Sequence, residues 1–327
     1  MSDAWTEPPI SRRHPIAARV IFAWRQLTDG GLPTVLACSG GVDSSALVLA
    51  LAGVPGAVEL FKVIHVRHDL RPAPEADADA ELAARLAARC GLGFSQISVQ
   101  VASLPGNDEA NARRARYDAL GRVARSNDSE FVATAHQGHD QLETLLMRLA
   151  RGAGPRGMAG IRERRSLGEA VCVVRPMLGL GRNECEALCA EAGHVPAHDR
   201  TNKDLSRTRA AIRARVVPAL EAIAPAIRGR SLDTARAMAD SDALIRRLAR
   251  DLAGDAESWS RDDLRKTSPA LVSELIRSAG TASGTSRELR KALRMIRDDS
   301  TEPREIRVGD VCIKVTAREV SITQRTG

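Results

Sequence analysis

A chain of 327 residues holds one full core and a smaller second body, so two or three domains are expected. Its net charge of +7 and isoelectric point near 9.5 suit a polyanionic partner, because each neutralised phosphate releases counterions, although arginine far outnumbers lysine and alanine is abundant, a compositional bias in its own right. Six scattered cysteines without a Cys-x-x-Cys pair exclude a disulfide scaffold and fit reduced, mostly buried thiols of a soluble cytoplasmic protein; no uncharged apolar run reaches the roughly 18 residues of a membrane span.

Residues from Met1 to about Arg12 read as a loose leader, and Pro15 to Leu27 as an amphipathic helix. The apolar run Val35 to Ala37 then leads into Cys38-Ser39-Gly40-Gly41-Val42-Asp43-Ser44-Ser45, and good helix formers follow from Ala46 to Ala52, a strand, tight loop and helix. The helix start exposes unpaired N–H groups and the positive end of its dipole, and two glycines let backbone approach an anion closely. No Gly-x-x-x-x-Gly-Lys-Ser/Thr and no Gly-x-Gly-x-x-Gly occurs, so this is neither a Walker loop nor a dinucleotide fingerprint.

Beyond it, strands and helices alternate. Phe61 to Val66 is a strand running into His65-Val66-Arg67-His68-Asp69-Leu70-Arg71, Glu75 to Cys90 an Ala-rich helix, and Phe94 to Val101 a β-branched strand. Asn107 caps a helix reaching about Arg125, and Phe131 to Ala135 is a strand entering His136-Gln137-Gly138-His139-Asp140-Gln141-Leu142-Glu143-Thr144. Such alternation predicts a doubly wound parallel sheet with ligands beyond the carboxyl ends of its strands. Read as helical, His136, Asp140 and Glu143 are spaced four and three apart and share one face. A carboxylate pair there is suited to hold magnesium or to bind and deprotonate an amine.

From about Arg182 helices take over. Arg182 to Ala192 is amphipathic, with Cys185 and Cys189 one turn apart as core residues; Ser206 to Val217 carries Arg207, Arg209, Arg213 and Arg215 on a basic face suited to an RNA backbone. Gly229 to Leu252 is one more helix. The remainder is a small α/β appendage, with helices at Ala270 to Arg277 and Ser286 to Arg297 and strands Ile306 to Val308 and Val311 to Val315 around a Gly309-Asp310 turn. His194 and His198 read as packing or capping residues.

The Ser-Gly-Gly-x-Asp-Ser loop resembles the pyrophosphate loop of the N-type ATP pyrophosphatases, which split ATP to AMP and pyrophosphate while adenylating a substrate. That likeness implies an ATP site at Ser39, Gly40, Gly41, Val42, Asp43 and Ser44, with His65 and His136 beside the nucleotide and Mg²⁺ oriented through ATP by Asp43 and Asp140. Further segments narrow it. Ala135-His136, Asp140-Gln141-x-Glu143-Thr144, Arg151-Gly152-x-Gly154, Ala112-Arg113-x-x-Arg116-Tyr117, Arg175-Pro176-Met177-Leu178 and Asp199-x-Thr201-Asn202-x-Asp204 with Arg209 and Arg213 are similar to the tRNA(Ile)-lysidine synthetase family, from about Thr34 to Leu220.

The family likeness implies a ligase that joins free L-lysine to C2 of the wobble cytidine of a CAU-anticodon tRNA(Ile) through an adenylated tRNA. Asp43, Asp140, Glu143 and Arg113 would be catalytic, and Arg151, Asn202, Arg207, Arg209 and Arg213 would contact tRNA. Three bodies are expected: the ATP pyrophosphatase domain at 1–180, a helical tRNA-contacting domain at 181–253 and a C-terminal α/β domain at 254–327. The sequence departs from the family pattern at Arg67, Asp69 and His139. The alternatives are another tRNA-modifying enzyme of the same superfamily, such as a thiolase, or a basic RNA-binding protein with a decayed ATP site.

Overall fold

The computed structural model describes residues 8–70, 72–168, 170–197, 208–280 and 285–324, and the chain divides into two compact units, residues 1–236 and 237–327. This division falls elsewhere than the limits expected after residues 180 and 253. The helical stretch that follows residue 181 stays with the first unit as far as residue 236.

In the first unit the elements run α1 (Pro15–Leu27), β1 (Thr34–Ala37), α2 (Val42–Ala52), the short α3 (Ala57–Leu60), β2 (Phe61–His68), α4 (Ala73–Arg89), β3 (Gly93–Val99), α5 (Asp108–Ser126), β4 (Phe131–Ala133) and α6 (Gly138–Ala150). There follow α7 (Pro155–Met158), β5 (Arg164–Ser166), β6 (Cys172–Val174), α8 (Arg182–Glu191), α9 (Thr208–Ala211), a π-helical turn at Ile212–Val216, α10 (Val217–Ile223) and α11 (Ile227–Ala253). The last of these continues into the second unit. Each buried strand is apolar on alternate faces. Val35, Ile64 and Val132 pack with Tyr117, Leu120 and Ala124 of α5, whereas Leu36, Val63, Phe131 and Ala133 pack with α1, α2, α4 and α8. That period of two sandwiches the sheet between helical layers.

The sheet order is β3-β2-β1-β4-β6-β5. β1 lies between β2 and β4 with parallel register on both sides, Leu36 opposite Val63 and Ala133. Strand order therefore reverses between β1 and β4, and the crevice beyond their carboxyl ends is the switch point where such sheets bind ligands. The edge strand β5 departs from the parallel expectation by pairing antiparallel with β6. Its sequence, Arg-Arg-Ser, is exposed throughout, so no apolar pattern announces it.

In the second unit, β7 (Ser258–Ser260), α12 (Arg261–Lys266), α13 (Pro269–Ser278), α14 (Ser286–Arg297), β8 (Arg304–Val308), β9 (Val311–Val315) and β10 (Glu319–Gln324) follow α11. Its antiparallel sheet runs β7-β10-β9-β8. β8 and β9 are joined by the expected Gly309-Asp310 turn, with Gly309 at φ +62°, the positive φ that a first turn position of this kind demands. β7 and β10 were not foreseen. The core is formed by Leu264, Val272, Leu275, Leu289, Met295, Ile313 and their neighbours. Arg261, 1% exposed, is accommodated there because its guanidinium donates to the carbonyls of Met295, Ile296, Asp298, Ser300 and Thr316.

Candidate active site

The β1–α2 loop is shaped by its own hydroxyls and glycines. Gly40 sits at φ +83°, and a Cβ there would stand 2.9 Å from the Asp79 carbonyl oxygen, so only glycine fits without displacing α4. Gly41 is the N-cap of α2. The Ser39 N–H donates to Ser44 Oγ at 3.1 Å, and Ser44 Oγ donates to the Gly41 carbonyl at 3.0 Å. Ala197 N–H closes the loop from outside by donating to the Gly40 carbonyl at 2.9 Å. His194 Nε2 meets Ser45 Oγ at 3.1 Å, a side-chain packing contact and not a helix cap; His198 lies outside the described residues.

Asp43 stands in the first turn of α2. Burial raises its pKa foremost, the Asp140 charge adds to that, and Arg182, 3.7 Å away, opposes it. Its buried Oδ1 meets no nitrogen or oxygen donor, only the Cys185 thiol nearby. Cys185 and Cys189 are core residues as read, their thiols pushed up by burial, Cys189 to about 12.

His65, on β2, is buried, and its Nδ1 lies 3.0 Å from the Cys38 carbonyl oxygen, which fixes that nitrogen as the protonated one. Burial lowers its pKa. The two unusual residues downstream are both satisfied: Arg67 pairs with Asp77 at 3.1 Å, and Asp69 Oδ1 accepts from the N–H groups of Val101 and Ala102.

On the neighbouring strand, α6 begins only at Gly138, so His136 precedes the helix instead of sharing its face. Gln137 is the cap, its side chain accepting from His139 N–H while Asp140 Oδ2 accepts from Gln137 N–H at 3.0 Å, a capping box built on Gln and Asp. Asp140 and Glu143 do share a face, and both are held by arginines. Arg209 donates to Asp140 Oδ1 at 2.6 Å and to Glu143 Oε2 at 2.7 Å; Arg213 donates to Glu143 Oε1 at 2.6 Å. Glu143 has no exposed side-chain surface, whereas Asp140 keeps 17%. Arg209 and Arg213 therefore spend their guanidiniums on α6 and not on an open basic face, and the segment that carries them includes the π-helical turn, a feature that often marks functional sites.

A second charged cluster lies on the α5 side. Arg113 and Arg165 stack over the Tyr117 ring, 5.1 and 4.7 Å from its centroid, and Arg175 approaches the Tyr117 hydroxyl at 3.4 Å. His136, hydrogen-bonded to Thr134 Oγ1, is pushed well below the usual histidine range by burial, then by Arg175, Arg113, Arg209 and Arg116. It is a neutral imidazole in a positive field. Arg151 caps the far end of α6, about 18 Å along the axis from its start, and does not join this constellation. Asn202 and Arg207 lie outside the described residues.

Thus Ser39 to Ser44 with Asp43, and Asp140 with Glu143, follow the carboxyl ends of the paired strands β1 and β4, with His65 of β2 against Cys38, while His136 and Arg113 belong to the charged cluster on the α5 side. Sequence reading missed Arg182 beside Asp43, the double arginine hold on Glu143, and the pairing of His139 Nε2 with Glu221 Oε1 at 3.1 Å. All three join residues more than 40 positions apart, where no periodicity operates.

Residues 25–220 match the PP-loop domain family. The chain is similar to the tRNA(Ile)-lysidine synthase of Salinispora tropica, 40% identical over 244 residues, spanning 73% of this chain and 70% of that protein. The corresponding protein of Salinispora arenicola is 39% identical over 241 residues, again 73% and 70%. Among solved structures, a U34-tRNA thiolase from Methanococcus maripaludis with its [4Fe-4S] cluster shares the fold, with a TM-score of 0.54 at 15% identity over 69% of this chain and 80% of that one.

Proposed function

The chain belongs to the tRNA(Ile)-lysidine synthase family, with a PP-loop, ATP-using domain, and from that premise we propose that it ligates free L-lysine to C2 of the wobble cytidine of CAU-anticodon tRNA(Ile), converting ATP to AMP and pyrophosphate. The observation that carries this reading is the placement of two carboxylates just beyond the carboxyl ends of paired parallel strands, Asp43 after β1 and Asp140 after β4.

In the proposed reaction the loop N–H groups and hydroxyls from Ser39 to Ser44 hold the β- and γ-phosphates at the α2 N-terminus. Cytidine O2 attacks the α-phosphorus, the bond to pyrophosphate breaks, and the adenylated tRNA forms. The lysine ε-amine, once deprotonated, adds at C2 and AMP leaves with the electron pair of the C–O bond. Asp140, the more exposed of the two, with Oδ1 bonded to Arg209 and Oδ2 to the Gln137 N–H, would accept that proton on giving up one of these bonds; Glu143, held by Arg209 and Arg213, would instead fix the geometry of the helix face. Arg113 and neutral His136 line the nucleotide side, where Arg113 would stabilise charge on the transferring phosphorus. Contact of Arg209 and Arg213 with tRNA, as the family pattern implies, requires their hold on α6 to open.

The donor set also fits Mg²⁺. Asp43 Oδ1 is buried without a nitrogen or oxygen donor, and no group of three or more metal-ligating side chains occurs among the described residues, which suits an ion carried mainly by phosphate oxygens with one or two carboxylates, Asp43 and Asp140. When bound, it neutralises pyrophosphate charge. No helix among the described residues is long and apolar enough to cross a membrane. The test is a chase: with lysine omitted, radiolabelled AMP should accumulate on CAU-anticodon tRNA(Ile), and lysine should release it as free AMP. Label that never reaches tRNA rejects the mechanism.

A further inference from the structure

The β1–α2 loop carries no cation of its own. A Walker loop places a lysine on the β- and γ-phosphates, whereas this chain has neither lysine nor arginine from Cys38 to Ala52. Backbone N–H groups and hydroxyls remain, and Asp43 adds negative charge in the first turn of α2. A leaving pyrophosphate gains charge as its bond breaks, so a positive group brought in from another element would stabilise it.

Arg182, the first residue of α8, stands where such a group is needed. Its Nη1 lies 3.7 Å from Asp43 Oδ2, outside hydrogen-bond range, while its Nε donates to Glu186 Oε1 at 3.1 Å and its backbone N–H to His139 Nδ1 at 3.3 Å. Backbone and Nε thus hold the guanidinium beside the loop, and its terminal nitrogens make no hydrogen bond among the described residues. The side chain is 42% exposed, so it can swing without unpacking a core. Neighbouring arginines are committed elsewhere. Arg209 and Arg213 grip Asp140 and Glu143 at 2.6 to 2.7 Å, and Arg228 pairs with Glu221 at 3.0 Å.

We infer that Arg182 is a further catalytic residue: its guanidinium turns from Asp43 to the β- and γ-phosphates of bound ATP and stays with the departing pyrophosphate. As cytidine O2 attacks, the bond from the α-phosphorus to the bridging oxygen breaks and its electron pair remains on that oxygen. The planar guanidinium meets the charge so formed with two N–H groups at once. Arg113 serves the transferring phosphorus from the α5 side, and Arg182 serves the leaving group from α8. The inference rests on the ATP-splitting reading of the loop and adds to it a residue some 140 positions downstream, outside the Ser-Gly-Gly-x-Asp-Ser pattern.

Calorimetric titration of the full chain with inorganic pyrophosphate, without Mg²⁺, tests the contact apart from turnover. Arg182→Gln should weaken pyrophosphate about 10- to 100-fold, the loss of one charge-assisted contact, and Arg182→Lys should recover part of it as a point charge. Adenosine, which has no phosphate, should bind all variants alike and so report an intact fold. An Asp43→Asn background separates direct contact from mere support of the carboxylate: Arg182→Gln should cost the same factor there. In single-turnover adenylation of tRNA at saturating ATP without lysine, Arg182→Gln should lower the rate about a hundredfold. Equal pyrophosphate affinity in wild type and Arg182→Gln, or an effect that vanishes with Asp43→Asn, overturns the assignment and leaves the loop reading intact. A wild-type protein that binds no pyrophosphate rejects the loop reading itself, and the assignment with it.

Discussion

Replacing Asp43 with Asn separates what the first turn of α2 does for stability from what it does for chemistry. The carboxylate is three-quarters withdrawn from solvent, its nearest cation is 3.7 Å away, and Oδ1 lacks a nitrogen or oxygen donor. An unsatisfied buried acceptor costs about 1–3 kcal/mol, and the amide has the same shape with no charge to desolvate. Asp43→Asn should therefore gain about 1–2 kcal/mol at neutral pH, or about 2–8 °C in melting temperature for a unit of this size.

The gain depends on pH with a definite sign. Burial places the folded pKa of Asp43 above its unfolded value, so the wild type is penalised wherever the carboxyl must ionise. The difference between variant and wild type is absent below about pH 4, where the group is protonated in both states, and full once pH exceeds the raised folded value. Urea unfolding from pH 4 to 8 measures it. Pyrophosphate release, measured in parallel, should fall at least about a hundredfold, as when one fixed electrostatic group is removed from a transition state. A variant less stable than wild type at pH 7, or one that cleaves ATP normally, refutes the reasoning.

Glu143→Gln should act oppositely, because its fully buried carboxylate compensates Arg209 and Arg213. Breaking such a pair costs about 3–5 kcal/mol when buried, reduced to about 2–4 by the partial exposure of both arginines; an unchanged urea midpoint contradicts this. Gly40→Ala forces a left-handed φ, costing about 1–2 kcal/mol, and pushes the loop off Asp79, so ATP affinity measured by equilibrium binding should drop at least about tenfold. His65, His136 and His194 all have lowered pKa values, with burial the first cause. The unfolded chain then takes up protons first as pH falls below about 6.5, and stability should decline from pH 7.5 to 5.5. The same slope in a His65→Asn, His194→Asn double variant would show that these groups are not its source.

Local signals carried much of this fold. The apolar Val35–Ala37 run, the glycine pair and the following helix formers state the strand, loop and helix outright, and the Asn107 cap is visible because its acceptor chemistry is a single-residue property. What escaped lacked such a signature. β5 is exposed Arg-Arg-Ser, and its pairing with β6 exists only once the sheet is assembled. The start of α6 was misplaced by two residues because Gln137 caps it, a role more usual for Ser, Thr, Asp or Asn. Arginines 209 and 213 looked like a solvated or RNA-facing surface in a linear reading; their partners are some 66 to 70 residues upstream, and only the packing of that segment against α6 reveals them.

The most direct test of the account is the chemical identity of the wobble nucleotide. CAU-anticodon tRNA(Ile) incubated with the protein, ATP, Mg²⁺ and lysine, then digested to nucleosides and weighed by mass spectrometry, should show its wobble cytidine converted to the lysine adduct at C2, with one AMP and one pyrophosphate formed for each. Unmodified cytidine despite ATP and lysine, or a sulfur-containing base in its place, would contradict it.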